Sequence, residues 1–131
     1  MFEKGSSVSK QVIGCGLEVS NNLGSGFLES VYENAISIEL KRQGLKFERQ
    51  KQINVSYKGE VIGNYVVADL IVEEKLLVEL KALSNFTGDH EAQVMNYLRA
   101  TGLGVGLLLN FGTPRLGIRR IVWQHNDAIS I

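Results

Sequence analysis

The sequence predicts one α/β domain over residues 1–131, a mixed β-sheet with flanking helices in the order α-α-β-β-β-α-β-β. Three observations carry this. Apolar residues recur at helical spacing between Val8 and Gln43, alternate between Gln52 and Leu83, and return to helical spacing after Thr87. Gly24, Gly44, Gly59 and Gly102 fall where those periods change. The run Val105 to Asn110 is almost wholly apolar, as expected of a strand covered on both faces.

The elements follow in order. Ser6 or Ser7 can cap a first helix, along which Val8, Val12, Cys15 and Val19 form one stripe until Asn22-Leu23-Gly24 stops it. A second helix is predicted from near Gly26 to Gln43, burying Leu28, Val31, Ala35 and Ile38, with Gly44 just past its end. Gln52 to Tyr57 reads as a strand with Ile53, Val55 and Tyr57 on one face. Tyr57-Lys58-Gly59-Glu60 is a turn into a long strand, Val61 to Val72, and Glu73-Glu74-Lys75 leads into another, Leu76 to Leu83. Thr87-Gly88-Asp89 opens a third helix, roughly His90 to Thr101, and Ile118 to Trp123 is the last strand.

Composition narrows the function classes. Fourteen basic and fourteen acidic side chains balance, so the basic excess usual in proteins that grip duplex DNA without sequence preference is missing. No apolar run approaches the ~20 residues a membrane helix needs. Cys15 is the only cysteine and lies on an apolar stripe, so it reads as core; a cytoplasmic protein is the expectation.

Asp69, Glu79 and Lys81 carry the chemistry. Each is a charged residue inside an apolar strand, which is costly unless it pairs or binds something. Glu79 and Lys81 are two apart and share a face. A hairpin centred on Glu74 sets Asp69 opposite Glu79, at the roughly 5 Å Cβ separation of cross-strand neighbours. Carboxylates that close call for a proton or a cation, and Mg²⁺ or Mn²⁺ suits their oxygens, with the backbone carbonyl of Leu80 as a further ligand. The competing reading is a cross-strand salt bridge on a solvated face. Gly26, Glu29 and Tyr32 run along one side of the second helix, so Glu29 can bring a third carboxylate. With Gly26 as N-cap, however, Glu29 falls at N3, where it can equally be a cap. Tyr32 reads as half-buried. His90, Gln93 and Tyr97 form a polar stripe on the third helix, and each can be an ordinary helix residue.

Asp69 followed by Glu79-x-Lys81 resembles the metal-binding signature of PD-(D/E)XK nucleases, and Gln93-x-x-x-Tyr97 resembles the extra motif of their exonuclease-like branch. Gly26-Phe27-Leu28-Glu29-Ser30-Val31-Tyr32 is similar to the motif that names their small GxxExxY family, as are Val78 to Ala82, His90 to Gln93 and Asn110-Phe111-Gly112. The sequence departs from that family's pattern at Ser20, Ser25 and Val67, where His, Pro and Arg are common. The resemblance implies a PD-(D/E)XK (restriction-endonuclease-like) core. It makes Asp69 and Glu79 metal ligands and Lys81 the catalytic lysine, with Glu29 and Gln93 supporting them. Tyr32, His90 and Tyr97 would border the pocket. The expected activity is Mg²⁺-dependent hydrolysis of phosphodiesters in nucleic acid, DNA ahead of RNA. The alternative is a non-catalytic nucleic-acid- or protein-binding module on the same fold. A homodimer or larger assembly is compatible with either.

Overall fold

A computed structural model describes residues 7–85 and 87–123. Ser6, the alternative first cap, lies outside them. The elements are α1 (Val8–Leu23), α2 (Glu29–Arg42), β1 (Phe47–Tyr57), β2 (Glu60–Val72), β3 (Leu76–Lys81), α3 (Gly88–Thr101), β4 (Val105–Asn110) and β5 (Gly117–Val122), in the predicted order. They build one five-stranded sheet, β1-β2-β3-β4-β5. Among the described strands only β3 and β4 pair in parallel, and α3 supplies the crossover that such a pair requires. On one face Leu70, Val78, Leu80, Leu107 and Leu109 pack with Val12, Cys15, Tyr32, Ile36 and Leu40 of α1 and α2. On the other, Ala68, Leu77 and Leu108 pack with Val94 and Leu98 of α3. Among the described residues no helix is long and apolar enough to cross a membrane.

The first helix follows the sequence closely. The Ser7 hydroxyl accepts the Lys10 N–H at 3.2 Å, and Val12, Cys15 and Val19 are buried. Burial pushes the Cys15 thiol up to about 11, with the charge of Glu39 adding to the effect, so the thiol stays protonated and inert.

The second helix corrects two expectations. It begins at Glu29, because Gly26 has φ 111° and Leu28 is still extended at φ −67°, ψ 152°. Glu29 therefore stands at N1 and not at N3, and the N-cap is Leu28 and not Gly26. The buried ridge is Tyr32, Ile36 and Leu40, not Leu28, Val31, Ala35 and Ile38. Leu28 and Ile38 are 76% and 53% exposed. Counting aliphatic residues chose the wrong edge of the helix because Tyr32 can go fully inside. Its hydroxyl donates to the Gly24 carbonyl at 2.7 Å and accepts the Phe27 N–H at 3.2 Å, so its burial leaves no polar atom unpaired.

The first strand starts at Phe47, five residues before the predicted Gln52. The register with β2 shifts between Ile53 and Asn54 and again between Val55 and Ser56. Ile53, Val55 and Tyr57, expected on one face, differ in burial: Ile53 is buried and Tyr57 is exposed. Tyr57 pairs with Glu60 around a two-residue turn in which Lys58 and Gly59 both have positive φ. The next hairpin pairs Val72 with Leu76, Ile71 with Leu77 and Leu70 with Val78, which centres it on Glu74. Glu73 and Glu74 adopt left-handed conformations there. Glu73 is held in place by Lys46, whose carbonyl accepts its N–H at 2.8 Å and whose N–H donates to its Oε2 at 2.6 Å.

Two glycines permit the approaches that set the site. A Cβ on Gly106 of β4 would lie 2.7 Å from Val94 Cγ1, so its absence lets α3 sit close on the sheet. A Cβ on Gly112 would lie 2.1 Å from the Leu83 carbonyl oxygen. There the buried Asn110 clamps the exit of β3: its Oδ1 accepts the Leu83 N–H at 2.8 Å, and its Nδ2 donates to the Leu83 carbonyl at 2.9 Å. This loop leads from Lys81 to α3, and its anchoring fixes the relative placement of both.

Candidate active site

The β2–β3 ladder runs to Leu70 and Val78, and the next step of its register sets Asp69 across from Glu79. Beyond that point the Leu80 N–H donates to Asp69 Oδ2 at 2.8 Å instead of to a ladder carbonyl. Asp69 Oδ1 accepts Gln50 Nε2 at 3.1 Å. Glu79 is only 3% exposed, and its Oε1 is buried without a hydrogen-bond partner. Burial, reinforced by the hydrogen bond and charge of Asp69 and opposed by Lys81, pushes the Glu79 carboxyl up to about 10. A shift in this direction favours the protonated carboxyl, the usual answer of a buried acid beside another acid.

Lys81 ends β3 half-buried, paired in register with Asn110 of β4. Its charge reaches both Glu79 and Glu29. The Glu29 carboxyl is raised by partial burial, with Lys81 pulling it down and Asp69 and Glu33 pushing it up. Glu29 therefore shares the electrostatic field of Asp69 and Lys81, from the first residue of α2. Tyr97 of α3 responds to the same field: burial raises its hydroxyl, and Glu79 and Asp69 raise it further. Gln93 is half-buried one turn earlier on that helix.

Tyr32 corrects the pocket expected from the sequence. Tyr32 is fully buried and stacks on Phe111 at 4.7 Å between ring centroids, so it holds the loop ahead of α2 and offers no surface to a ligand. His90 serves the start of α3: its Nδ1 accepts the Thr87 N–H at 3.3 Å and lies 2.9 Å from the Thr87 hydroxyl. Three residues beside the carboxylates had no sequence signal. Gln50, Arg49 and Glu33 belong to ordinary polar runs, and only the fold brings them together. Arg49 Nη2 lies 2.9 Å from Glu33 Oε2, and Gln50 joins Glu33 to Asp69.

Among the described residues no group of three or more His, Cys, Asp or Glu side chains is placed to hold an ion.

The crystal structure of SSO0001 shares the fold, with TM-score 0.57 and 19% identity over 76% of this chain. The chain spans about half of that protein, 52% of its length, and the likeness concerns the fold alone. No curated protein matches the chain in sequence. A family model of the PD-(D/E)XK nuclease superfamily matches residues 6–121, and with that much of the sequence covered the chain belongs to this superfamily.

Proposed function

We propose that this domain is a divalent-cation-dependent nuclease of the GxxExxY family, hydrolysing phosphodiesters in nucleic acid. The observation that carries the reading is the Asp69–Glu79 pair, with its unpartnered buried oxygen and proton-holding carboxyl. An orphaned buried acceptor is costly in a metal-free protein and useful in a site that takes a cation. Mg²⁺ is commonly held by one or two carboxylates and completes its shell with water and substrate oxygens, so two acids suffice. Asp69, Glu79 and the Leu80 carbonyl would hold it. In a strand a residue's N–H and C=O point to the same side, and the Leu80 N–H already reaches Asp69.

When bound, Mg²⁺ or Mn²⁺ supplies Lewis acidity, polarising the scissile phosphate and making a water more acidic. The chain's own groups do the rest. Lys81 places a positive charge beside the carboxylates, where negative charge grows on the phosphate as the bond breaks. Glu29 enters the same field from α2 and can orient the attacking water. Gln93 offers an amide to a phosphate or a water, and the Tyr97 hydroxyl offers a second donor from the same face of α3.

The test is cleavage of single- and double-stranded DNA and RNA at low salt with Mg²⁺ or Mn²⁺. The expected result is activity that EDTA removes and Asp69→Asn abolishes. Cleavage that persists in EDTA would point to a different mechanism. A second reading, a non-catalytic binding module, draws on the balanced charge of the chain. Nucleic-acid binding without cleavage, together with no Mn²⁺ uptake by calorimetry, would favour it.

A further inference from the structure

Gln50 stands in the middle of β1 with φ 49°, the left-handed region that residues with a Cβ enter only at a cost. The other described non-glycine residues with positive φ, Lys58, Glu73 and Glu74, all lie in hairpin turns. Gln50 interrupts a strand. Arg49 pairs with Leu70 and Lys51 with Ala68, so Gln50 stands across from Asp69 while the ladder passes it by.

The distortion delivers a side chain. Gln50 Nε2 donates to Asp69 Oδ1 at 3.1 Å and also to Glu33 Oε1. Glu33 Oε2 accepts Arg49 Nε at 3.0 Å, and Arg49 Nη2 also donates to Asn34 Oδ1. One amide thus joins the acid of β2 to α2, the helix that begins with Glu29. With the Leu80 N–H on Oδ2, both oxygens of Asp69 are held from the protein side.

We propose that Gln50 is a positioning residue, and that its left-handed conformation, adopted without any shift of register, sets the Asp69 carboxylate for a divalent cation shared with Glu79. The inference rests on the cation-site reading above. Strain retained at one point of a strand, next to a carboxylate that it hydrogen-bonds, is the pattern expected when local geometry serves a site. Partners that orient a ligand commonly matter for cation affinity by about 10–100-fold.

Gln50→Asn and Gln50→Gly test it. Glycine adopts φ 49° freely and asparagine tolerates it, but asparagine is one methylene short and glycine has no amide. The first readout needs no metal: three-bond couplings to Asp69 Cγ, which report its χ1 rotamer by NMR. The second is the Mn²⁺ dissociation constant by calorimetry. The wild type should show one Asp69 rotamer. Both variants should show rotamer averaging and an Mn²⁺ dissociation constant at least about tenfold higher. An unchanged Asp69 rotamer with Mn²⁺ affinity within twofold of wild type would overturn the role of Gln50. Failure of the wild type itself to take up Mn²⁺ would instead sink the cation-site reading.

Discussion

The Leu80 N–H donates to Asp69 Oδ2 at 2.8 Å across the point where β2 and β3 stop pairing. A ladder hydrogen bond has been exchanged for one to a carboxylate. The two strands stay joined beside the buried Glu79, and the consequences can be measured.

Glu79→Gln should stabilise the metal-free protein at neutral and alkaline pH. The folded state raises this carboxyl from 4.5 to about 10, so the folded chain binds a proton that the unfolded chain has lost. The wild type's contribution from Glu79 is therefore complete below about pH 4.5 and is lost as pH rises toward 10, with a slope of at most about 1.4 kcal/mol per pH unit. Glutamine does not ionise and escapes this loss. Thermal melts from pH 5 to 9 in EDTA should show the variant's advantage growing with pH. A constant difference would mean that Glu79 ionises normally.

Cation binding should release a proton. Since Glu79 holds one when metal-free, Mn²⁺ must displace it, and affinity should rise by about tenfold per pH unit between pH 6 and 9. Calorimetry in two buffers of different ionisation enthalpy measures the proton count directly. A count near zero would show that Glu79 is already ionised in the free protein.

Lys81→Ala should slow cleavage by about 10²–10³-fold at saturating cation, the usual loss when one group that stabilises developing charge is removed. Because Lys81 also pulls the Glu79 and Glu29 carboxyls down, its removal should raise both further and shift the pH–rate profile to higher pH. Equal rates for the variant and the wild type across the profile would remove Lys81 from the chemistry.

Tyr32→Phe should cost about 1–3 kcal/mol, since the Gly24 carbonyl and Phe27 N–H lose a shared partner. Amide hydrogen exchange at Phe27 should quicken by more than the global loss of stability accounts for. If it does not, the hydroxyl does not hold the loop.

Gly112→Ala should destabilise by about 3 kcal/mol or more, because the added methyl meets backbone atoms of Leu83 that cannot rotate away. Circular-dichroism melts would register the change, and a variant as stable as the wild type would show that the clamp around Asn110 can yield.

The sequence by itself determined the order of elements and offered two registers for the link at Glu73-Glu74-Lys75, one opposing Asp69 to Glu79 and one opposing it to Val78; the structure takes the register centred on Glu74. The order and the two registers follow from local period and from counting, since a strand's side chains alternate strictly and a hairpin's centre fixes its whole register. Lys81 came with them, two residues from Glu79 on one strand. Tertiary structure decided which face of α2 is buried. Burial of Tyr32 depends on the Gly24 carbonyl and Phe27 N–H being within reach, which no helical period encodes. It also decided that Glu29 stands at N1 of α2, within the field of Asp69 and Lys81. The Gln50–Glu33–Arg49 network was invisible beforehand because its members are 15 to 19 residues apart from their partners in the chain. A left-handed glutamine has no signature of its own in the sequence, and the two carboxylates that its amide reaches, Asp69 and Glu33, are brought to it by the fold.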